Sequence, residues 1–506
     1  MEKRPVKKKL LLSLGIAGIA AALLVVAFLA GALVQKERDE RQRATLLTAQ
    51  QAQNVAHEEE LGRDWIELIP GTTRAMLSPE YWQSEASGEL LFTAEEIRTF
   101  QANNPLYVAY FDEPAGRTLK LKMYELPEEL GGHAVEKLIA PEYIDERADG
   151  TVTVFVNGIQ PDTDYWAALR DNCALDLIPA TLTPRYCVCV QRGLAMILPT
   201  TDFASEDPEE IFCNDFISAE VMPLTGVVAL HESRDGKWCF IVNGSYCGWV
   251  NKDSLAFCTD REQWLAAIRP EDFLTVTGCE ITLDETALPT RTAGLVLPMG
   301  TKIKLLCGYS EPVGGRMPYD CYVTMVPCRD DNGALDWETV LIPVSKDVAI
   351  GDLPMTSDSV LTQALKFAGK IYGWGGSLGS NDCSGMVRQV YACFGFELPR
   401  NSAAIAQLYD LGGQNFQGMT SAKKLEILRR MPAGTLLSME GHLMIYLGMA
   451  DNKPYVIGSC GTFVAPGDDT GTLIDAYGVF VSNLELLRKD GNTWLESLNY
   501  FQWKEY

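Results

Sequence analysis

Asn381-Asp382-Cys383-Ser384-Gly385-Met386-Val387 is the stretch on which the fold turns. It follows a glycine-rich run, Tyr372-Gly-Trp-Gly-Gly-Ser-Leu-Gly-Ser380, and opens a segment whose apolar residues Met386, Val387, Val390, Tyr391 and Phe394 recur at helical spacing. That spacing predicts a helix beginning at Cys383. Free backbone N–H groups and the positive end of the helix dipole at such a start favour the thiolate, the form of cysteine that attacks carbonyls. A cysteine there with no other signal would read as a small hydrophobe packed in a core.

The supply of bases sharpens the reading, because the chain holds only four histidines, His57, His133, His231 and His442. Three lie far upstream, so His442 is the imidazole available to the cysteine segment. Gly441-His-Leu-Met-Ile-Tyr-Leu-Gly448 alternates, with Leu443, Ile445 and Leu447 on one face and His442, Met444 and Tyr446 on the other. A histidine at the start of such a strand can face a cleft. Upstream of Cys383, Thr356 or Ser357 can cap a helix whose Val360, Leu361, Ala364, Leu365 and Ala368 share one stripe. Downstream, strands around His442 and from Tyr455 to Ser459 meet near Asp451-Asn452. Helices first and antiparallel strands after them predict an α+β domain over 351–506, with the nucleophile on a helix and the base on the sheet. That is the layout of papain-like thiol hydrolases.

At 506 residues the chain is too long for one core. Its net charge of -24 argues against nucleic acid, since phosphate binding needs a basic face. Lys3, Arg4, Lys7, Lys8 and Lys9 precede an uncharged apolar run from Leu10 to Val34, long enough to cross about 30 Å of hydrocarbon. Segment 1–34 therefore reads as a membrane anchor with its start in the cytoplasm, preferred over a cleaved leader ending near Ala30-Gly-Ala32. Everything beyond it is then exported. Residues 35–60 read as a charged, glutamine-rich spacer.

Segment 61–183 reads as mainly helical, with a capping box at Thr93-Ala-Glu-Glu96 and Phe92 poised to staple onto Ile97 or Phe100. His133, beside two glycines, reads as a loop residue. Two similar units follow, 184–260 and 261–350, each a small β-barrel of short strands. In the first, Asn243-Gly244 suits a tight turn with both central residues at positive φ. His231 reads as a packing residue, and no spacing of cysteines and histidines suggests a metal. The fourteen cysteines lie mostly in apolar strands without framework spacing, so most are expected reduced and buried.

These residues resemble the NlpC-type cysteine peptidases that trim cell-wall peptides. The resemblance rests on Asp382-Cys-Ser-Gly385, Tyr372-x-Trp-Gly-Gly376, Leu398-Pro-Arg400 with Ser402, and Gly441-His442 entering an apolar strand. More loosely, Ser78-Pro-Glu-Tyr-Trp82 resembles that family's N-terminal stabilising segment, and Ser233 to Trp238 with Gly248-Trp-Val250 its bacterial Src-homology-type barrel. It implies an endopeptidase cutting the γ-D-glutamyl-diaminopimelate bond of murein peptides with a free N-terminal L-alanine, working in the cell envelope. Cys383 would be the nucleophile and His442 the base, with the Cys383 N–H and the Tyr372 hydroxyl on the oxyanion. Asp382, Ser384, Trp374 and Ser402 would hold the peptide, Asp382 by pairing with its ammonium. No metal or cofactor is implied. One position departs from the pattern: Gly458 stands where a polar residue ordinarily orients the base, leaving Ser459, a backbone carbonyl or a water to do so. That departure keeps a second reading open, a catalytically impaired wall-binding or scaffold protein.

Overall fold

The computed structural model describes residues 66–502, apart from short breaks at 85–86, 113–116, 140–141 and 409–411, together with a few residues between 53 and 56. The anchor and most of the spacer lie outside the described residues. Among those described, no helix is long and apolar enough to cross a membrane.

The C-terminal domain is built on a six-stranded antiparallel sheet. Its strands are β1 (Gly413–Asn415), β2 (Leu436–Met439), β3 (His442–Ala450), β4 (Lys453–Val464), β5 (Leu473–Asn483) and β6 (Leu498–Gln502), in the order β1-β6-β2-β3-β4-β5. Alternation along β3 divides its side chains as the sequence predicts. Leu443, Ile445 and Leu447 join one core with Met386, Val387 and Val390, while Met444 and Tyr446 join a second with Val456 and Trp494. Each fully buried aliphatic chain contributes about 1.5–3 kcal/mol, and both faces of the strand are committed, so its register is fixed.

Two helices cover the first face. α1 (Ser357–Leu365) is capped by Thr356, whose hydroxyl accepts from Ser359 N–H at 3.1 Å, and it buries Val360, Leu361 and Ala364. α2 (Cys383–Ala392) buries Met386, Val387 and Val390 against β3 and β4.

The N-terminal segment extends this core. Met76, Trp82, Ile97 and Phe100 share the apolar cluster of α1 and α2, and Trp82 lies 5.4 Å from the Tyr455 ring. The Thr93 capping box forms with both bonds, and Phe92 and Phe100 each meet Phe396. The segment is less helical than expected. Tyr107–Asp112 pairs with Arg117–Lys122 as a hairpin, and His133 is the second residue of a helix, Gly132–Ile139, whose Val135 and Ile139 are buried.

Between them lie a seven-stranded sheet, from Arg185 to Phe257, and a five-stranded one, from Phe273 to Ile350. Helix Arg261–Ile268, placed by sequence in the second unit, packs on the first, with Trp264 donating to Cys187 O at 2.9 Å. The hairpin Trp238–Val242 with Cys247–Asn251 pairs as predicted, but its loop spans four residues. Only Gly244 there has positive φ, and the Asn243 side chain donates to Gly226 O at 2.8 Å. His231 is buried, its Nε2 within 3.1 Å of the Cys173 and Ala174 carbonyls, which fits a packing role. All fourteen cysteines are free, and Cys307 alone is exposed.

Candidate active site

Cys383 is the first residue of α2, and the helix start is tied down by the residue before it. Asp382 is the N-cap, its Oδ1 accepting from Gly385 N–H at 2.8 Å and from Ser384 Oγ at 3.0 Å. Its Oδ2 accepts from Gly375 N–H at 3.1 Å. Arg400 closes the set, pairing with both carboxylate oxygens and donating to Ser384 Oγ at 2.6 Å. Burial by itself would raise the Asp382 carboxyl pKa; Arg400 and the bonds from Gly385 and Ser384 outweigh it and hold the group below the usual carboxylate range. The residue is thus an ionised clamp between helix, glycine loop and Arg400.

The glycine loop can only be glycine where it meets the seven-stranded sheet. Gly375 and Gly376 have φ of 59° and 95°, and a Cβ on them would lie 2.4 Å from Ile217 Cγ2 and 2.2 Å from Glu220 Cβ. Arg192, just before a strand of that sheet, pairs with Glu220 and donates to Ser380 O at 3.1 Å. Tyr372, just before the loop, bridges to Asn381, and its N–H donates to Tyr477 O at 2.7 Å.

His442 opens β3. It is buried, with its ring 5.4 Å from that of Trp494. On the other side lies Gly458, where a Cβ would stand 3.2 Å from His442 Nε2. That nitrogen is buried and has no hydrogen-bond partner among the described residues. Ser459 does not supply one, because its hydroxyl donates to Asn381 O at 2.7 Å. Gly458 therefore occupies the place from which a side chain would hold the imidazole.

Cys383, His442 and Tyr372 line one cavity of about 420 Å³. Cys383 packs in one apolar cluster with Leu443, the residue after His442, whose backbone acts to lower the thiol pKa. Helix start and strand start thus meet. Their charge state differs from the sequence expectation of a thiolate. Burial, with Asp382 adding to it, pushes the Cys383 thiol up to about 12, and burial together with Arg488 pushes His442 down to about 4. At neutral pH the resting pair is thiol and neutral imidazole. Tyr372 is likewise held in its protonated form, by burial first and then by Asp382 and Cys383.

The other residues named from the sequence stand apart from the cavity wall. Asp382 and Ser384 are buried within the Arg400 clamp, so Asp382 reaches an incoming ammonium only by sharing its carboxylate with Arg400. Trp374 is 38% exposed on the glycine loop, and Ser402 is half-buried at the start of the helix Ser402–Ala406. The structure adds neighbours that no local pattern announced. Trp494, Arg488, Lys489 and Cys460 line the same cavity from beyond β3, and Cys213 reaches it from the segment next to the seven-stranded sheet. Beside Cys213, the Phe212 ring stacks on Tyr477 at 3.8 Å.

Residues 369–481 match the NlpC/P60 family model. Among solved structures the chain is similar to an NlpC/P60 endopeptidase from Photobacterium damselae subsp. piscicida, with 15% identity and a TM-score of 0.65, over 87% of this chain and 98% of that one. It is also similar to an NlpC/P60 family protein from Bacillus cereus, with 17% identity and a TM-score of 0.38, over 56% and 81% of the two chains. No curated protein matches the chain in sequence. The C-terminal domain is an NlpC/P60 domain, and the chain is a cysteine peptidase.

Proposed function

We propose that this chain is an endopeptidase of the cell envelope that hydrolyses the γ-D-glutamyl-diaminopimelate bond of murein peptides with a free N-terminal L-alanine. The observation that carries the proposal is the meeting of Cys383, His442 and Tyr372 on one cavity inside an NlpC/P60 domain. The similar Photobacterium protein is itself described as an endopeptidase.

Because the resting pair is neutral, His442 works as a general base at the moment of attack. It takes the thiol proton as sulfur adds to the γ-carbonyl carbon, and the oxyanion is met by the Cys383 N–H and the Tyr372 hydroxyl. The imidazolium returns that proton to the departing amine of diaminopimelate, and water then releases the dipeptide from the thioester. Tyr372 suits its part, since a phenol that stays protonated remains a donor. The body works outside the cytoplasmic membrane, tethered by Leu10–Val34.

The test is incubation with L-Ala-γ-D-Glu-diaminopimelate and chromatography of the products. Release of Ala-Glu by the native chain and none by Cys383→Ala is the expected result; equal release by both refutes the proposal. The bare Nε2 above Gly458 favours a second reading, a wall-binding protein of low turnover. In that case the tripeptide binds to the native chain and is not cut.

A further inference from the structure

The cavity has a charged side that the mechanism leaves idle. Arg488 and Lys489 line it together with His442 and Trp494. Arg488 is held in place: its Nη1 donates to Glu440 O at 2.8 Å, two residues before the base. The turn that carries it is fixed too, with Leu487 and Val464 exchanging backbone bonds of 2.9 and 3.0 Å, and Arg488 N–H donating to Asn492 O at 2.9 Å. This turn is therefore anchored on β4, the strand whose Gly458 lies against the imidazole.

The chain carries a net charge of -24, and two cations near the site pair with acids, Arg400 with Asp382 and Arg192 with Glu220, while Arg388 of α2 donates to Leu398 O at 3.0 Å. Arg488 and Lys489 differ. Among the described residues neither has a carboxylate oxygen within 4.0 Å. Two acids are close in sequence, and although the bonds from Asn492 and then Arg488 help to hold the exposed Asp490 carboxyl ionised, neither acid forms an ion pair with Arg488 or Lys489. The Asp490 side chain is engaged with the N–H and Nδ2 of Asn492 at 3.0 Å, and the exposed Glu440 gives Arg488 its backbone carbonyl rather than its carboxylate. A guanidinium with one donor used for positioning and the rest free, beside an ammonium, is matched to a carboxylate, which it can bind through two parallel bonds.

We propose that Arg488 and Lys489 form a carboxylate-binding subsite for the residue that supplies the leaving amine. This rests on the peptidase reading above: the departing amine takes its proton from His442, so groups gathered round that imidazole meet the fragment being released. Diaminopimelate presents such carboxylates, and a residue with every carboxyl amidated presents none. The subsite makes the enzyme selective for free-acid peptides over amidated ones.

The test measures binding separately from turnover. Cys383→Ala protein is titrated with L-Ala-γ-D-Glu-diaminopimelate as the free acid and with both diaminopimelate carboxyls amidated. The free acid is expected to bind about tenfold tighter or more, as a charge-assisted pair requires, with the ratio falling toward one in Cys383→Ala/Arg488→Gln/Lys489→Gln. Arg488→Lys, which keeps the charge and loses the fork, should give an intermediate ratio and guards against a folding artefact. A ratio near one in the first protein, or a full ratio surviving in the triple variant, overturns the subsite. Native chain that binds the free acid selectively but cuts neither peptide overturns the peptidase reading instead. Cutting of both peptides with equal kcat/KM overturns the subsite alone.

Discussion

His442 is held neutral by its surroundings, and this has a consequence for stability that can be measured. Its pKa falls from 6.5 to about 4 on folding, so between those values the unfolded chain binds a proton that the folded chain refuses. Stability from this group is complete above about pH 6.5 and is lost as pH drops toward 4, by up to about 3 kcal/mol. Denaturant unfolding at pH 7 and pH 4.5 should show that loss in the native chain and a smaller one in His442→Gln. The same ring lacks a hydrogen bond on Nε2, and Gly458 lies against that nitrogen, where a Cβ would stand 3.2 Å from it and 3.2 Å from Met444 Cγ. Gly458→Asn is expected to raise kcat by on the order of tenfold by fixing the tautomer, with Met444 and the His442 ring each yielding a few tenths of an ångström. An unchanged kcat would mean that the orienting role is already filled. Sequence indicated both residues and the gap between them, because a helix start and a strand start are local patterns. It misjudged the thiol. A helix dipole is worth about 0.3–1 kcal/mol, less than one pKa unit, whereas burial moves Cys383 from 9.0 to about 12, and burial is set by chain segments far away.

At the scale of elements, the Cys383 helix depends on a pair that its own sequence only half contains. Asp382 caps it, but Arg400, on the far side of the helix, neutralises the cap and ties it to Ser384. Removing one partner of a buried ion pair leaves a charge without compensation, so Arg400→Gln should cost about 3–5 kcal/mol in unfolding free energy, more than loss of an exposed cap. A loss below 1 kcal/mol would show that solvent reaches Asp382. Here the sequence named Asp382 for a different task, and Arg400 stood in a recognised tripeptide without a role. Side-chain pairing across a helix and a loop has no periodicity to reveal it. The hairpin at Tyr107–Asp112 escapes the sequence reading for another reason: Tyr107-Val-Ala-Tyr-Phe111 is apolar or aromatic throughout, without the alternation that marks a half-buried strand, and lies in a segment otherwise of helical pattern.

For the whole molecule, residues 76–100 are part of the core of the C-terminal domain rather than a neighbour of it, while Val108 to Leu182 pack with the seven-stranded sheet. Trp82 is 8% exposed, packs by Tyr455 and donates its indole N–H to Met76 O at 2.8 Å. Trp82→Ala should therefore destabilise the catalytic domain by about 3–5 kcal/mol, read as a lower denaturation midpoint of activity. A loss of stability that spared activity would show the segment to be separable. The α+β plan of the C-terminal domain was legible from alternating strands and capped helices. The docking of a segment almost four hundred residues upstream was not, since only a three-dimensional core brings Trp82 to Tyr455.

The central claim is that Cys383 carries the acyl group, and it is tested by quenching turnover of L-Ala-γ-D-Glu-diaminopimelate in acid and weighing the intact protein and its Cys383 peptide. Hydrolysis through this thiol predicts an added Ala-Glu acyl mass on Cys383 that appears with substrate, decays as substrate runs out and is absent from Cys383→Ala. Dipeptide release at the native rate from Cys383→Ala would contradict it.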